Sequence, residues 1–278
     1  WAGRGRRDEG RRWLEEILAL ATAAGPDVVA PLRRATLMHV TANLARVQGD
    51  YSRAEALYRE CLAIRRAHDD RPGIVAALHN LAIVASDRRD YAAAFRLYDE
   101  ALAIGRELDN RYGIAFGLTS YGETMQATGD LARAVALYEE GLAGFRSIEH
   151  AWGISLALTR LGDAILEQGD AVRAAALQRE SLAISAGLGD PRSLVDALEG
   201  LARAIAGSDP DRAARMIGAA ETLRARFGCP RPPTRRAAHA ATVAALHATL
   251  GDAAAAFAEG SEAAAEDDLP ALVAWMEA

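Results

Sequence analysis

Two cysteines are all this chain contains, Cys61 and Cys229, far apart and without CxxC spacing. That excludes a disulfide framework and fits a reducing compartment. Aromatic residues make up only 6% of the chain, which suits closely approaching helices better than a core of large anchors. No run of about 18 apolar residues is present to span a membrane, and no charged-then-apolar signal opens the chain. A Gly-rich GxxxxGK[ST] loop is missing, so nucleotide phosphates have no cradle here. Basic residues are outnumbered, 32 against 38, for a net charge of −6, which argues against direct nucleic-acid binding by this chain. Its one basic run, Arg4, Arg6, Arg7, Arg11 and Arg12, reads as a solvated helix face. These absences point to a cytoplasmic location and to no cofactor.

What is present is a repeat. The 278 residues are 51% apolar and 25% charged, too apolar for disorder. Residues 49–64 read Gly-Asp-Tyr-Ser-Arg-Ala-Glu-Ala-Leu-Tyr-Arg-Glu-Cys-Leu-Ala-Ile. Residues 89–104 read Arg-Asp-Tyr-Ala-Ala-Ala-Phe-Arg-Leu-Tyr-Asp-Glu-Ala-Leu-Ala-Ile. The phrase returns from Gly129 and Gly169, a step of 40 residues each time (89 − 49, 129 − 89, 169 − 129). A fixed period of this size marks a stacked repeat protein.

Within each period the apolar spacing predicts two helices, A and B. The A helices fall near 32–48, 72–88, 112–128, 152–168 and 191–206. The B helices fall near 51–69, 91–109, 131–148, 171–188 and 210–227. Gly49-Asp50, Arg89-Asp90, Gly129-Asp130, Gly169-Asp170 and Ser208-Asp209 mark the A-to-B turns. Gly takes a left-handed conformation at no cost after a helix, and Asp caps the next one. Ala54, Ala94, Ala134 and Ala174 hold a small slot in helix B, and Tyr58, Tyr98 and Tyr138 a large one, with Gln178 the exception. Ala42, Ala82, Gly122, Gly162 and Ala202 hold a small slot in helix A. Large against small at fixed spacing is what interlocking helices need. Cys61 falls in a small-residue column and reads as packing.

Residues 4–20 align with a B helix, with Trp13, Leu14, Ile17 and Leu18 as the apolar stripe. With Trp1 rather than Met in first place, the chain reads as a piece that begins in mid-repeat. Beyond residue 207 the beat loosens. A loop from Gly228 to Pro233 precedes an Ala-rich pair near 234–250 and 252–266 and a last apolar piece from Leu272 to Met276. The expected fold is all-α, a right-handed α-solenoid of stacked antiparallel helix pairs running over 1–278. It would comprise a lone helix at 4–20, repeats at 31–70, 71–110, 111–150, 151–190 and 191–228, and a divergent cap at 234–278.

At these columns the chain resembles a tetratricopeptide repeat (TPR) array over roughly residues 5–267. Leu81-Ala82, Leu161-Gly162, Ala94, Ala174, Tyr98, Tyr138 and the small residues Cys61, Ala101, Gly141 and Ser181 carry the likeness. The period of 40 departs from the family's usual 34, and the family's proline after helix B is missing. The longer variant resembles the repeats of bacterial signal-transduction (STAND) ATPases and LuxR-type regulators. Gly5 with Glu9-Gly10-Arg11-Arg12-Trp13-Leu14-Glu15, and the run from Ala213 to Arg224 before the Pro-rich loop, carry that second likeness. It implies a sensor arm whose NTPase and DNA-binding or output domains lie outside this chain.

The TPR resemblance also implies that the A helices line a concave groove. Counting from Leu81 and its equivalents selects Thr36, His39, Asn43 and Arg46, then His79, Ile83 and Asp87. It continues with Phe116, Thr119, Glu123 and Gln126, then Thr159, Asp163 and Glu167, then Asp196, Glu199 and Arg203. Asn80 stands one place on, where related arrays use Asn to hold a peptide backbone. The ligand-binding set is taken as His39, Asn43, Arg46, His79, Asn80, Ile83, Thr119, Glu123, Gln126, Thr159, Asp163, Glu199 and Arg203. A merely solvated face stays open as the plainer reading.

No residue pattern supports catalysis. His39 and His79 share a column but lack the further ligands a metal needs. Glu123 and Asp163 lack the enclosed pocket of an acid/base pair. The expected function is a non-catalytic sensor module of a larger bacterial regulator, binding a peptide, a partner protein or a small inducer. The alternative is a constitutive scaffold. A homodimer through the terminal helices is a further expectation.

Overall fold

In a computed structural model of the chain, residues 4–26, 29–231, 233–251 and 254–264 are described. Among them are thirteen helices and no strand. In order they are α1 (Arg4–Ala23), α2 (Pro31–Val47), α3 (Tyr51–Ala67), α4 (Arg71–Asp87), α5 (Tyr91–Glu107), α6 (Arg111–Thr128) and α7 (Leu131–Ser147). There follow α8 (Ala151–Glu167), α9 (Ala171–Leu188), α10 (Pro191–Ile205), α11 (Pro210–Phe227), α12 (Pro233–Leu250) and α13 (Ala254–Ala263). The chain is an all-α solenoid of helices stacked in consecutive pairs. A helices are α2, α4, α6, α8 and α10, and B helices are α3, α5, α7, α9 and α11, within a residue or two of the predicted bounds.

The 40-residue step is two steps of 20. Helices α2, α3, α4 and α5 have 17 residues each, and three-residue turns separate them. Each turn closes the same way. The N–H of Asp50 donates to the Ala45 carbonyl, and Asp70, Asp90, Asn110, Asp130, His150 and Asp170 each repeat this bond five residues back. The same side chains then accept from an N–H three residues on, such as Arg53, Gly73, Ala93 and Gly113, satisfying groups the helix leaves free. Sequence reading found the caps before B helices. It missed the matching column before A helices, where Asp70, Asn110 and His150 do the same work.

The residue before each cap has positive φ. Gly49, Gly129 and Gly169 meet that demand freely, whereas Asp69, Arg89, Asp109 and Glu149 hold it with φ between 47° and 63°.

The contacts of the described residues gather into two compact units, one up to Gly144 and one from Phe145 on. In the first, α1 packs on α2, and each helix from α2 to α5 packs on its successor. A helices also touch directly, α2 with α4 and α4 with α6. Tyr58, Tyr98 and Tyr138 are buried at the helix seams, as their column predicted. The small slot explains itself at Gly122, where a Cβ would lie 2.7 Å from the Tyr138 ring. In the second unit, α8, α9, α10 and α11 pack in succession, α8 touches α10, and α13 packs on α11. Gly218 and Gly260 let α11 and α13 approach backbone to backbone.

The stripe expected on the first helix is corrected. Gly10, Leu18 and Ala21 are buried, whereas Trp13 is 57%, Ile17 43% and Leu20 70% exposed. Leu14, between them, is half-buried. The apolar surface of α1 is wider than one partner helix covers. Arg11, read as solvated, instead donates to Asp50 at 2.6 Å and to Gln48 at 3.1 Å. The Leu272 to Met276 piece lies outside the described residues.

Candidate functional site

On the A-helix face of the first unit, polar side chains link successive A helices. The imidazole of His39 on α2 stands edge-on to Tyr58, ring centroids 5.4 Å apart, with its Nε2 3.4 Å from the Asn80 amide on α4. Burial, and then the nearby Arg65, hold His39 below its ordinary pKa. Asn80 also donates to the carbonyl of Ala76 at 2.9 Å. Two turns along, Arg46 on α2 meets Asp87 on α4 at 3.3 Å. Burial raises the Asp87 carboxyl above its usual range against the pull of Arg46, and Glu123 on α6 adds repulsion. Asn43 accepts from the Tyr58 hydroxyl at 2.7 Å, and Gln126 from Tyr138 at 2.9 Å. Ile83 stands half-buried among them. At the other end of α6, Tyr112 stacks on Phe116 at 6.2 Å, and Tyr112 is 43% exposed. This face therefore offers half-exposed polar groups, one apolar side chain and an aromatic pair. That combination suits binding.

Two residues expected on that face are buried instead. His79 packs between Tyr98 and Phe116, and burial pushes its pKa down to about 4. Its ring fills the space beside Gly117, where a Cβ would lie 2.3 Å from Nε2. Thr119 is 1% exposed and turns its hydroxyl back to the Ala115 carbonyl. Counting along a helix selects a column, but the width of the neighbouring helix decides whether that column reaches water.

In the second unit the same columns are covered by the chain itself. Thr159 is buried in a hydroxyl cluster with Ser155, Ser181 and Ser185. Asp163 on α8 accepts from Arg235 on α12 at 2.5 Å, from Gln178 on α9 at 3.2 Å, and pairs with Arg203 on α10 at 3.3 Å. Glu199 on α10 takes both arms of Arg224 on α11, at 2.7 and 2.8 Å, and Arg231 at 2.6 Å. Asp196 pairs with Arg224 at 2.7 Å and Arg235 at 3.6 Å. Burial pushes Asp196 and Glu199 up, but the arginines outweigh it and hold both carboxyls below their usual values. The expectation that Asp163 and Glu199 face open solvent is corrected: side chains from α11, α12 and their connection lie over them.

Sequence reading also missed a ladder between B helices. Arg66 meets Glu100 at 2.5 Å, Arg106 meets Glu140 at 4.0 Å, and Arg146 meets Glu180 at 2.6 Å. Both columns step by 40, so the pairing was legible. Among the described residues, no group of three or more His, Cys, Asp and Glu side chains is placed to hold a metal ion.

Two family models, both described as tetratricopeptide repeat, match residues 34–68 and 73–147. Those two stretches carry tetratricopeptide repeats. TPR domains are generally protein–protein interaction modules and typically non-catalytic. No curated protein matches the chain. Among solved structures it is similar to BtubC (BKLC) from P. vanneervenii, at 21% identity and a TM-score of 0.65, covering 83% of this chain and 95% of that one. It is also similar to nearly identical TPR-like repeats of a putative kinesin light chain from Podosopora anserina, at 20% identity and a TM-score of 0.54, covering 73% and 100%. A single-substitution form of those repeats gives 0.55 at 20% identity, covering 70% and 96%. At these identities the likeness concerns the fold. Among the described residues no helix is long and apolar enough to cross a membrane.

Proposed function

We propose that this TPR array binds a peptide or protein partner on the A-helix face of its first unit, with a small inducer as the lesser candidate. The observation that carries this reading is the row of half-exposed polar groups, His39, Asn43, Arg46, Asn80, Glu123 and Gln126, around Ile83. Mixed donors and acceptors on a rigid helix face suit an extended backbone, and the exposed Tyr112 adds a hot-spot residue type. Site-specific photocrosslinking tests it. A crosslinker at Ile83 should capture a partner that one at the outward Glu100 does not, and Arg46→Glu should abolish the capture. Equal capture at both positions would refute the reading.

The finer proposal is that the array is the sensor arm of a larger bacterial regulator of the STAND or LuxR type. The run from Ala213 to Arg224 and the residues around Trp13 support it by resemblance. An antibody against residues 91–107 should detect, in the source cells, a protein well above the size of this 278-residue chain. A band at this size alone would sink the idea. A second reading, a scaffold that self-associates through α1, is favoured by the exposure of Trp13, Ile17 and Leu20. It predicts a dimer by light scattering that Trp13→Glu with Ile17→Glu dissociates.

A further inference from the structure

Helix α12 is attached differently from α8, α9, α10 and α11. Helix α10 buries ten side chains or glycines, eight of them apolar residues and one a glycine. Among the described side chains of α12, only Arg235 and Leu246 are buried. The N-terminal end of α12 is held by charge. Arg235 reaches across to Asp163 on α8 and to the Asp196 carbonyl on α10, at 2.5 and 3.3 Å. Arg231, just before the helix, bridges Glu199 and Glu221 at 2.6 and 2.8 Å. His239 meets Glu221 at 3.0 Å. Helices with few buried apolar contacts open locally at small cost.

Asp163 stands in the column of Asn43 and Glu123, and Glu199 in that of His39, on the first unit's A-helix face; Asp196 shares its column with Thr36 and Phe116. Their cations from the packed helices are Arg203 and Arg224, with Arg160 acting on Asp196 from nearby. Lifting Arg231 and Arg235 leaves four carboxylates, counting Glu221, facing those three. The uncovered surface then carries net negative charge and needs a cation. Carboxylates spaced to take planar, forked donors select guanidinium over ammonium. Every one of the chain's 32 basic residues is arginine.

Resting on the reading that A-helix faces are the binding faces of this array, we propose that the carboxylate-lined face of α8 and α10 is a docking surface for an arginine-bearing segment of a partner protein. Arg231 and Arg235 of this chain occupy it as a built-in competitor. The far end of α12 stays tethered, because α13 is locked to α11 through Gly218 and Gly260. Release is therefore a local lifting of the arginine end, and a partner binds by replacing two guanidinium groups with its own.

The test uses the full chain, wild type and Arg231→Ala/Arg235→Ala. The probe is a fluorescent peptide copying residues 226–240, with serine in place of cysteine. It should bind the double variant at least tenfold more tightly than wild type. A second probe, with lysine at the two arginine positions, should lose most of that affinity. Equal binding to both proteins, or binding to neither, would overturn the proposal. If the double variant does not fold, hydrogen exchange on wild type decides. Amides in the first turns of α12 should exchange at least tenfold faster than those of α8 and α10, and exchange in step with those helices would make the segment a fixed part of the core. Crosslinking at Ile83 reads the first unit separately, so failure here leaves that result standing.

Discussion

Arg224→Met should lower the unfolding temperature of the second unit by roughly 10–15 °C at pH 7, and that loss should shrink as the solution is acidified through the carboxyl range. Arg224 is 6% exposed and donates to Glu199 twice, to Asp196 once and to the Cys229 carbonyl. Methionine keeps most of the length and none of the donors. Glu199 then keeps Arg231, Asp196 keeps Arg235, and both stay largely buried. Removing one partner of a buried pair costs about 3–5 kcal/mol, because the carboxylates stay desolvated with one cation fewer each. For a unit of this size each kcal/mol shifts the midpoint by about 3 °C. The pH dependence follows from the carboxyls, whose folded pKa values lie below the unfolded ones. In the wild type their contribution is present above the unfolded value and is lost as pH falls through the folded value. In the variant, burial is opposed by fewer cations, so those folded values rise and protonation relieves the strain. The two melting curves, followed by circular dichroism, should therefore converge on acidification. A gap that stays constant from pH 7 to pH 4 would mean that packing was lost rather than charge pairing, and the electrostatic account would fail.

Three further outcomes follow from the packing. Gly122→Ala should cost about 1–3 kcal/mol in denaturant titration, since its Cβ would meet the Tyr138 ring at 2.7 Å; a neutral result would mean the ring has room to move. His79→Leu should make stability less sensitive to acid. The wild-type imidazole has a folded pKa of about 4, below its ordinary 6.5, so the unfolded chain takes up a proton first, and stability falls by about 2 kcal/mol between pH 7.5 and pH 5. Parallel pH profiles for the two proteins would contradict this. Arg106→Ala, by contrast, should change stability by less than about 1 kcal/mol, because its 4.0 Å pair with Glu140 is exposed on both sides; a large loss would show that the inter-helix ladder acts as a network.

The helices, their order and their seams are written in local chemistry. Helix ends are local chemistry: a left-handed residue, then a cap whose side chain accepts from the N–H three residues on, and both recur at fixed intervals. Seam residues are legible for a similar reason. Tyr58, Tyr98 and Tyr138 must lie opposite something small, and Gly122 announces one such gap. Even the missed column of Asp70, Asn110 and His150 was available, since its 40-residue step is as regular as the one that was read.

Which of the groove columns meet water depends instead on how distant elements pack. His79 and Asn80 are neighbours in sequence, yet one is enclosed by Tyr98 and Phe116 and the other reaches His39. Asp163 and Glu199 carry the signature of a solvated face, and long-range partners bury them: Arg235 lies 72 residues from Asp163, and Arg231 32 from Glu199. Both arginines lie beyond the regular beat, where periodicity says nothing about position. A repeat sets what each helix does with its neighbours. What a non-repeating segment does to the finished face depends on where that face and the segment meet in space.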